Sequence, residues 1–560
     1  MKATHLLKQL ESLRNRNDAD SVATKHSLLL TLNKRRFTTS TEVERFHDVL
    51  LFMRAYPNNR ELLGLVDSIL AGFSDRSDLK RFSQELASSG IAGCPIDYRF
   101  FYPMAQWLAN NCGQCLQLDW PEMEDREKLM EIIPILTTYA EASQFDDFEF
   151  DARTWLQRLK GSNETEATFL LKRIANLYRN SHEREALHDN LDLPYRLEAG
   201  KDTPSMTQAR YLDKPIKFVT RDIEKKRPDL RQVINTLPVK IKILSQKEGN
   251  KLVSLARTAM ITHERDIDAF SWGSSHDVRL VDCGNGLQFA CIGTLPERRY
   301  LLPAVYGFLN LKNGVPIGYF QASVIFDMAE ISFNTFMTFR GADAAQNYAR
   351  ALAMTQRLFG TRTFVLDNYQ LGYGNKEGLL SGVWWFYYKL GFRPRNPAIK
   401  KLASRELKKM KQNPAHRSSL STLENLAEDY MFLELEAGNK SENVFPLSWN
   451  IAPALSGYLA ERFGGDREKG VKICALEAAQ RLGLKKIPKL STAERHAWDG
   501  WAPLILNLPG IQRWSPQNRR KLISIIKAKG GQRESDYVRK LSEHKLLQKA
   551  LVKFAMESDI

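Results

Sequence analysis

The segment from Ala304 to Phe326, AVYGFLNLKNGVPIGYFQASVIF, constrains the fold more than any other stretch of this 560-residue chain. Two runs rich in β-branched and aromatic residues flank Asn313-Gly314. A two-residue type I′ turn needs positive φ at both central positions, which Asn and Gly adopt most easily. The spacing predicts a β-hairpin from Tyr306 to Phe326. Similar composition before it, in VRLVDCGNGLQFACIGTL, and a further strand from Glu330 to Met337 extend the sheet. A helix is expected from about Ala342 to Phe359, stopped at Gly360, followed by a strand within RTFVLDN. The expected fold class is α+β, with a central mixed, mostly antiparallel sheet between residues 240 and 397 and all-helical regions on both sides.

Such a chain is longer than one hydrophobic core supports, so two or three folded units are expected. From residue 1 to 199 apolar residues recur at three- and four-residue spacing, as in Val43, Phe46, Val49, Leu50 and Met53, which predicts an N-terminal helical region. Thr41 with Glu44 reads as a capping box for that helix, and Pro57 closes it. Residues 200–239 lose periodicity and collect Gly, Pro and polar residues, as a linker and lead-in would. Residues 398–560 read as a basic C-terminal helical region, with capping boxes at Ser421/Glu424 and Ser491/Glu494 and tryptophans at 498, 501 and 514.

The net charge of +16 favours polyanionic or phosphorylated partners. Between Arg393 and Arg417 nine Lys/Arg face one acid, Glu406, which marks 393–417 as a candidate surface for nucleic acid or another polyanion. Six irregularly spaced cysteines do not form a secreted disulfide framework and read as reduced, buried thiols. Cys112-Gly-Gln-Cys115 has C-x-x-C spacing but follows a helical pattern rather than a strand, and no histidine lies within sixty residues to complete a zinc site. The N-terminus lacks the apolar run of a signal peptide, and no window of 18 apolar residues occurs. A cytoplasmic, soluble protein without a membrane partner is expected.

The stretch WWFYYKLGFRPRNP, Trp384 to Pro397, sets an aromatic helix end, a glycine stop and the start of a strand side by side. With the hairpin, strand, helix and strand before it, this resembles the GNAT acyltransferase superfamily, whose last helix typically reads Phe/Leu-Tyr-Glu-Lys-Leu-Gly-Phe before a final strand. Phe386, Tyr387, Lys389, Leu390, Gly391 and Phe392 match, while Tyr388 takes the place of the usual glutamate. The resemblance covers residues 240–397 and leaves the helical flanks unassigned.

The resemblance implies acyl transfer from acetyl-CoA, or a longer acyl-CoA, to an amine. Such chemistry needs a slot for the pantetheine, an anion site for the pyrophosphate, a base and an acid. In the superfamily two neighbouring strands splay to open the slot, and the helix after the fourth strand offers its N-terminal N–H groups to the pyrophosphate. The corresponding cofactor contacts here run from Thr335 and Met337 through Arg340, Gly341, Ala342, Asp343, Ala344 and Ala345. Within FRGADAAQN, Arg340 and Ala345 match the superfamily's Arg/Gln-x-x-Gly-x-Gly/Ala pattern, but Asp343 replaces the middle glycine. It either adds bulk and negative charge where diphosphate approaches or serves as an acidic first-turn residue that suits the helix dipole.

For catalysis the resemblance implies Glu330, at the start of the fourth strand, as base and Tyr387 as the acid for the leaving thiolate. The structural alternatives are an exposed strand-end acid and an aromatic core residue. Asn334, on the same strand, is either a substrate contact or an ordinary polar face residue. Three functional readings follow: an acyl-CoA-dependent N-acyltransferase, the same scaffold using aminoacyl-tRNA without CoA, or a degenerate domain kept as a binding module.

Overall fold

The computed structural model of the chain describes residues 2–177, 181–220, 227–236, 240–341, 343–436 and 444–558. Helices dominate the first two hundred residues, and α1 (Ser40–Ala55) buries the expected stripe of Val43, Phe46, Val49, Leu50 and Met53. Its cap lies two residues earlier than the sequence suggested. Thr39 Oγ1 accepts from the Glu42 N–H at 3.3 Å, and Glu42 Oε2 accepts from the Thr38 N–H at 3.2 Å. The region is not all-helical: β1 (Ile96–Tyr98), β2 (Leu116–Leu118) and β3 (Tyr195–Leu197) form a small antiparallel sheet in the order β1-β3-β2.

The central sheet has nine strands: β4 (Lys240–Ile243), β5 (Gly273–Asp282), β6 (Leu287–Thr294), β7 (Ala304–Lys312), β8 (Val315–Ile325), β9 (Met328–Thr335), β10 (Thr363–Leu366), β11 (Arg393–Pro394) and β12 (Met431–Glu434). Their order is β11-β12-β10-β9-β8-β7-β6-β5-β4. All neighbours are antiparallel except β9 and β10. The expected α+β class and mostly antiparallel sheet are therefore present. Two expectations change. β12 lies beyond residue 397, so the C-terminal region is not all-helical and the sheet draws on it. The strand carrying Glu330 is the sixth of its sheet rather than the fourth, and it ends at Thr335, with Met337 in a following 3-10 turn.

The helix α2 (Gln246–Ile261) precedes β5, α3 (Ala344–Phe359) connects β9 to β10, α4 (Val383–Leu390) precedes β11, and α5 (Pro397–Gln412) follows it. Gly360 ends α3 at φ 73° and Gly391 ends α4 at φ 114°, the left-handed stops that glycine tolerates. The indole N–H groups of the aromatic run pin what comes later: Trp384 Nε1 donates to Leu426 O at 2.8 Å and Trp385 Nε1 to Ser418 Oγ at 3.1 Å.

The β7–β8 turn has the φ values expected of it, 49° at Asn313 and 79° at Gly314. It is also a docking point. Asn313 Nδ2 donates to Ala55 O of α1 (2.9 Å) and to Lys217 O (3.1 Å), while its Oδ1 accepts from Lys217 N (2.9 Å). A Cβ on Gly314 would lie 2.0 Å from Tyr211 O. The described residues of the 200–239 segment thus include some that pack on the hairpin tip instead of hanging free.

On the sheet's other flank, C-terminal helices close over charge. Tyr306 Oη donates to Asp277 Oδ2 at 2.7 Å and accepts from Ser535 N at 2.7 Å; Arg279 Nη1 donates to Ser535 Oγ at 3.1 Å. Glu534, 0% exposed, pairs with Lys529 at 2.5 Å and with Arg299 at 3.7 Å. Of the expected caps, Ser491/Glu494 is present, whereas the helix Leu420–Leu426 starts from Ser419, whose Oγ accepts from Thr422 N.

Removing one member of such a buried cluster strands the others without water. Glu534→Ala is expected to destabilise by about 3–5 kcal/mol, because Lys529 and Arg299 lose their anion. The exposed Lys540→Ala is expected to stay within about 0.5 kcal/mol of the parent. Urea denaturation followed by the fluorescence of buried Trp498 and Trp501 measures both. Equal midpoints for the two variants would show that the cluster does not hold this flank.

Candidate functional site

The register of β8 against β9 builds a polar strip in an otherwise apolar sheet. Ser323 pairs with Glu330, Gln321 with Ser332 and Tyr319 with Asn334. Directly opposed residues share a face and side chains alternate, so these six side chains line one side. The turn after α2 walls that side: Phe270 stands edge-on to Tyr319 at 6.2 Å, and His263 stacks on Phe336 at 3.5 Å. Burial holds the His263 imidazole down to about 4, and its Nδ1 donates to Ala259 O at 2.8 Å. It is a neutral packing residue.

β9 and β10 then part. Their parallel pairing runs through Thr363↔Met328, Phe364↔Ala329 and Val365↔Glu330 and ends there, while β9 continues five residues further to Thr335. The notch is bridged by a side chain. Gln370, in the short helix Asn368–Leu371 that follows β10, donates from Nε2 to Phe333 O at 3.2 Å and to Tyr387 Oη at 2.7 Å. Tyr387 projects from α4, 2% exposed, against the rings of Tyr348 and Phe392. The Tyr387 ring is thus part of the aromatic core, and its hydroxyl accepts from Gln370 at the notch.

Electrostatically the notch is acidic. Burial raises the Glu330 carboxyl from 4.5 to about 7, with the charge of Asp367 adding to the effect. Burial also raises Asp367, against the pull of the Gln370 N–H that its Oδ1 accepts at 2.6 Å. Tyr430, just before β12, is pushed up to about 12 by burial and then by Glu330, Asp367 and Asp429. Burial raises Tyr387 well above 10; its hydrogen bond from Gln370 opposes that and Asp367 adds to it. Asp367 thus acts on both Glu330 and Tyr387. No ion pair involves Glu330 or Asp367 among the described residues.

The segment leading into α3 carries the remaining expected residues. Thr335 pairs with Gly318 on β8, and its carbonyl accepts from Arg340 Nε at 3.1 Å. Arg340 also pairs with Glu377 at 2.5 Å, and Met337 is 70% exposed beside it. Gly341 has φ 78°, with open space where a Cβ would point. Ala342 lies outside the described residues. Ala344 and Ala345 form the first turn of α3, whose start no side chain caps, and the first N–H groups of a helix have no intrahelical partner. Asp343 turns aside: its Oδ1 accepts from Tyr56 Oη at 2.8 Å and from Asn347 Nδ2 at 2.7 Å. Together with Thr338 Oγ1 donating to Asp48 at 2.8 Å and Phe339 stacking on Phe52, this ties α1 to the loop. The bulk and charge of Asp343 point at the N-terminal region.

Ser323, Gln321, Ser332, Asp367, Gln370 and Tyr430 escaped the sequence reading. The period-two polar alternation on either side of Asp327 signals the first three; the other three arrive through pairings that no local pattern announces. Cys112 and Cys115 close a helix and a 3-10 turn, and burial pushes the Cys112 thiol up to about 12, opposite to the shift that a redox nucleophile needs. No protein-family model, curated protein or solved structure matches the chain.

A carboxyl raised in the folded state binds a proton that the unfolded chain has released, so between pH 4.5 and 7 folding loses stability as pH rises. Glu330→Gln removes that loss. The variant is expected to melt above the parent at pH 8, with the gap closing towards pH 4.5. Thermal unfolding across this range checks it, and an equal or lower melting temperature at pH 8 would mean that Glu330 is satisfied as an anion.

Proposed function

We propose that the chain is an acyl-CoA-dependent N-acyltransferase, in its simplest form an acetyltransferase, acting on an amine. The reading is carried by one observation: the single parallel pair parts at Glu330, a carboxylate titrating near neutrality, with the Tyr387 hydroxyl at the same notch and an uncapped helix following the strand. The loop's open side at Gly341 and the averted Asp343 leave room for a diphosphate at the start of α3. Thr335, Met337, Arg340, Ala342, Ala344 and Ala345 belong to that subsite in this reading.

The chemistry asks for two proton movements. As the amine nitrogen bonds to the thioester carbonyl carbon and the carbon–sulfur bond breaks, Glu330 takes the proton that the amine gives up. Burial raises its carboxyl to about 7, which suits a base near neutrality better than an ordinary carboxylate. Tyr387 serves the departing thiolate. Because Gln370 donates to its oxygen, the phenol proton remains available. A phenol held above 10 does not fully protonate a thiolate whose conjugate acid has a pKa of ~8.5, so its help is mainly a hydrogen bond and belongs at the low end of the usual ~10²–10⁴-fold.

A second reading, a non-catalytic binding module, draws on the packing of α1 against the loop through Tyr56, Asp48 and Phe52. A CoA-independent transfer from aminoacyl-tRNA has no comparable support. Calorimetry with acetyl-CoA at low salt separates them, and complete absence of binding retires the acyl-CoA reading.

Once an acceptor amine is found, Tyr387→Phe should lower kcat by about 10²-fold with CoA affinity near that of the parent. Tyr388→Phe, whose ring stacks on Trp384, should leave kcat unchanged. The rise of kcat/KM with pH should level off near 7, and Glu330→Gln should abolish that inflection. Parental rates in the Tyr387 variant would return it to the core alone.

A further inference from the structure

The helix α5 is held by its inner side and bare on its outer one. Ile399 and Ala403 are buried, and Asn396 caps the start with its Oδ1 accepting from Ala398 N at 2.9 Å. The only acid of the basic segment, Glu406, is turned inward at 2% exposure. Its carboxylate accepts from Lys409 Nζ at 2.7 Å, His416 Nε2 at 2.9 Å and Ser418 Oγ at 2.7 Å, and those contacts hold it down to about 2. Ser418 is in turn fixed by the Trp385 indole. The anion that would neutralise this surface is thus spent inside, and the chain beyond the helix is tied back to α4.

Outside, Lys400, Lys401, Arg405, Lys408 and Lys411 are exposed, and none takes part in an ion pair among the described residues. At ~100° per residue they fall within an arc of roughly 140°, and at ~1.5 Å per residue they span about 16 Å along the axis. A nucleic-acid strand carries one phosphate per ~3.4 Å of helix axis, so that length faces about five phosphates. A second feature continues the field. Lys389 is depressed by burial and then by the like charges of Arg227 and Arg417.

We propose that α5 and its flanks form a docking surface for a nucleic-acid phosphodiester backbone. Charge complementarity selects the partner. A membrane-surface helix inserts its apolar side, but the apolar side of α5 is committed to the core. A protein partner with an acidic face would need an aromatic or large apolar anchor at its centre, and the exposed arc carries Lys, Arg, Ser404 and Gln412, with Pro397 at its first turn as its one apolar residue. Contacts of this kind position a polyanion without reading its sequence.

The test is fluorescence anisotropy of the full chain with a labelled 20-base-pair DNA duplex and the matching RNA duplex between 50 and 200 mM salt. Binding is expected to fall with a log–log salt slope of about −4 to −5, as five neutralised phosphates require. Replacing Lys400, Lys401, Arg405, Lys408 and Lys411 with Gln should weaken binding at least tenfold and flatten that slope. The smaller reversal Lys401→Glu with Lys408→Glu should do likewise while keeping the parental circular dichroism and melting temperature. Replacing exposed Lys469, Lys472, Lys485, Lys486 and Lys489 with Gln removes equal charge elsewhere and should change affinity less than twofold. Tighter binding of one duplex would name the natural source. Absence of binding to both at 50 mM salt, equal weakening by the two five-residue sets, or binding to anionic vesicles in place of either duplex would overturn the proposal.

Discussion

A buried two-residue turn sets the geometry on which the rest of this molecule depends. Strand side chains alternate with a period of two, so a register slip of one residue between β7 and β8 would carry every side chain of β8 to the other face. Asn313 and Gly314 prevent the slip twice over. Their positive φ values define the turn locally, and the Asn313 amide is locked by Ala55 and Lys217 from outside the hairpin. With β8 fixed, Tyr319, Gln321 and Ser323 oppose Asn334, Ser332 and Glu330, and the polar strip exists. One bulge, where Asn310 pairs with Gly318 but Leu311 with Pro316, leaves Ile317 between the pairs and lets β8 keep both partners.

The flanking regions attach to this sheet by buried polar groups, in two different ways. The N-terminal region uses neutral or singly charged contacts, Tyr56 with Asp343, Thr338 with Asp48 and Asn313 with the end of α1. Burial raises Asp48 to about 6, against the pull of the hydrogen bond from Thr338. The C-terminal helices use a buried cluster in which Asp277 pairs with Arg279, and Glu534 with Lys529 and Arg299. Such clusters contribute little net stability compared with apolar packing, but a misdocked helix would leave several charges buried and alone.

Features decided by two or three adjacent residues were legible in the sequence: the Asn313-Gly314 turn, the glycine stops at 360 and 391, and the Ser491/Glu494 cap. Where two local signals overlapped, tertiary contact chose between them. The stretch Thr38-Thr39-Ser40-Thr41-Glu42-Val43-Glu44 offers two S/T-x-x-E frames, and the one realised puts Glu42 against Thr4 of another helix. The short strands β1 to β3 and β12 lack the flanking signal that the Gly360 stop gives the equally short β10, and they were missed. The candidate site divides along the same line. Glu330 and Tyr387 could be picked out by position, whereas Asp367, Gln370 and Tyr430 meet them only because β10 pairs with strands from both sides of the chain.

That meeting also accounts for the unusual protonation of the site. An isolated Glu330 at a strand end would sit in water with an ordinary pKa. Placing β12 beside β10 brings Tyr430 up to Glu330 and Asp367, and the loss of water raises both carboxyls, with no ion pair to either among the described residues. The chain keeps its abundant Lys and Arg elsewhere, most densely on the outer arc of α5, which leaves the sheet at β11 and returns to it through β12. One segment, residues 393–434, thereby both walls an acidic notch and presents a basic surface. Positive and negative ligand groups would be drawn to separate places on the same part of the fold, because Glu406, buried and paired with Lys409, leaves Lys400, Lys401, Arg405, Lys408 and Lys411 without an acidic partner among the described residues.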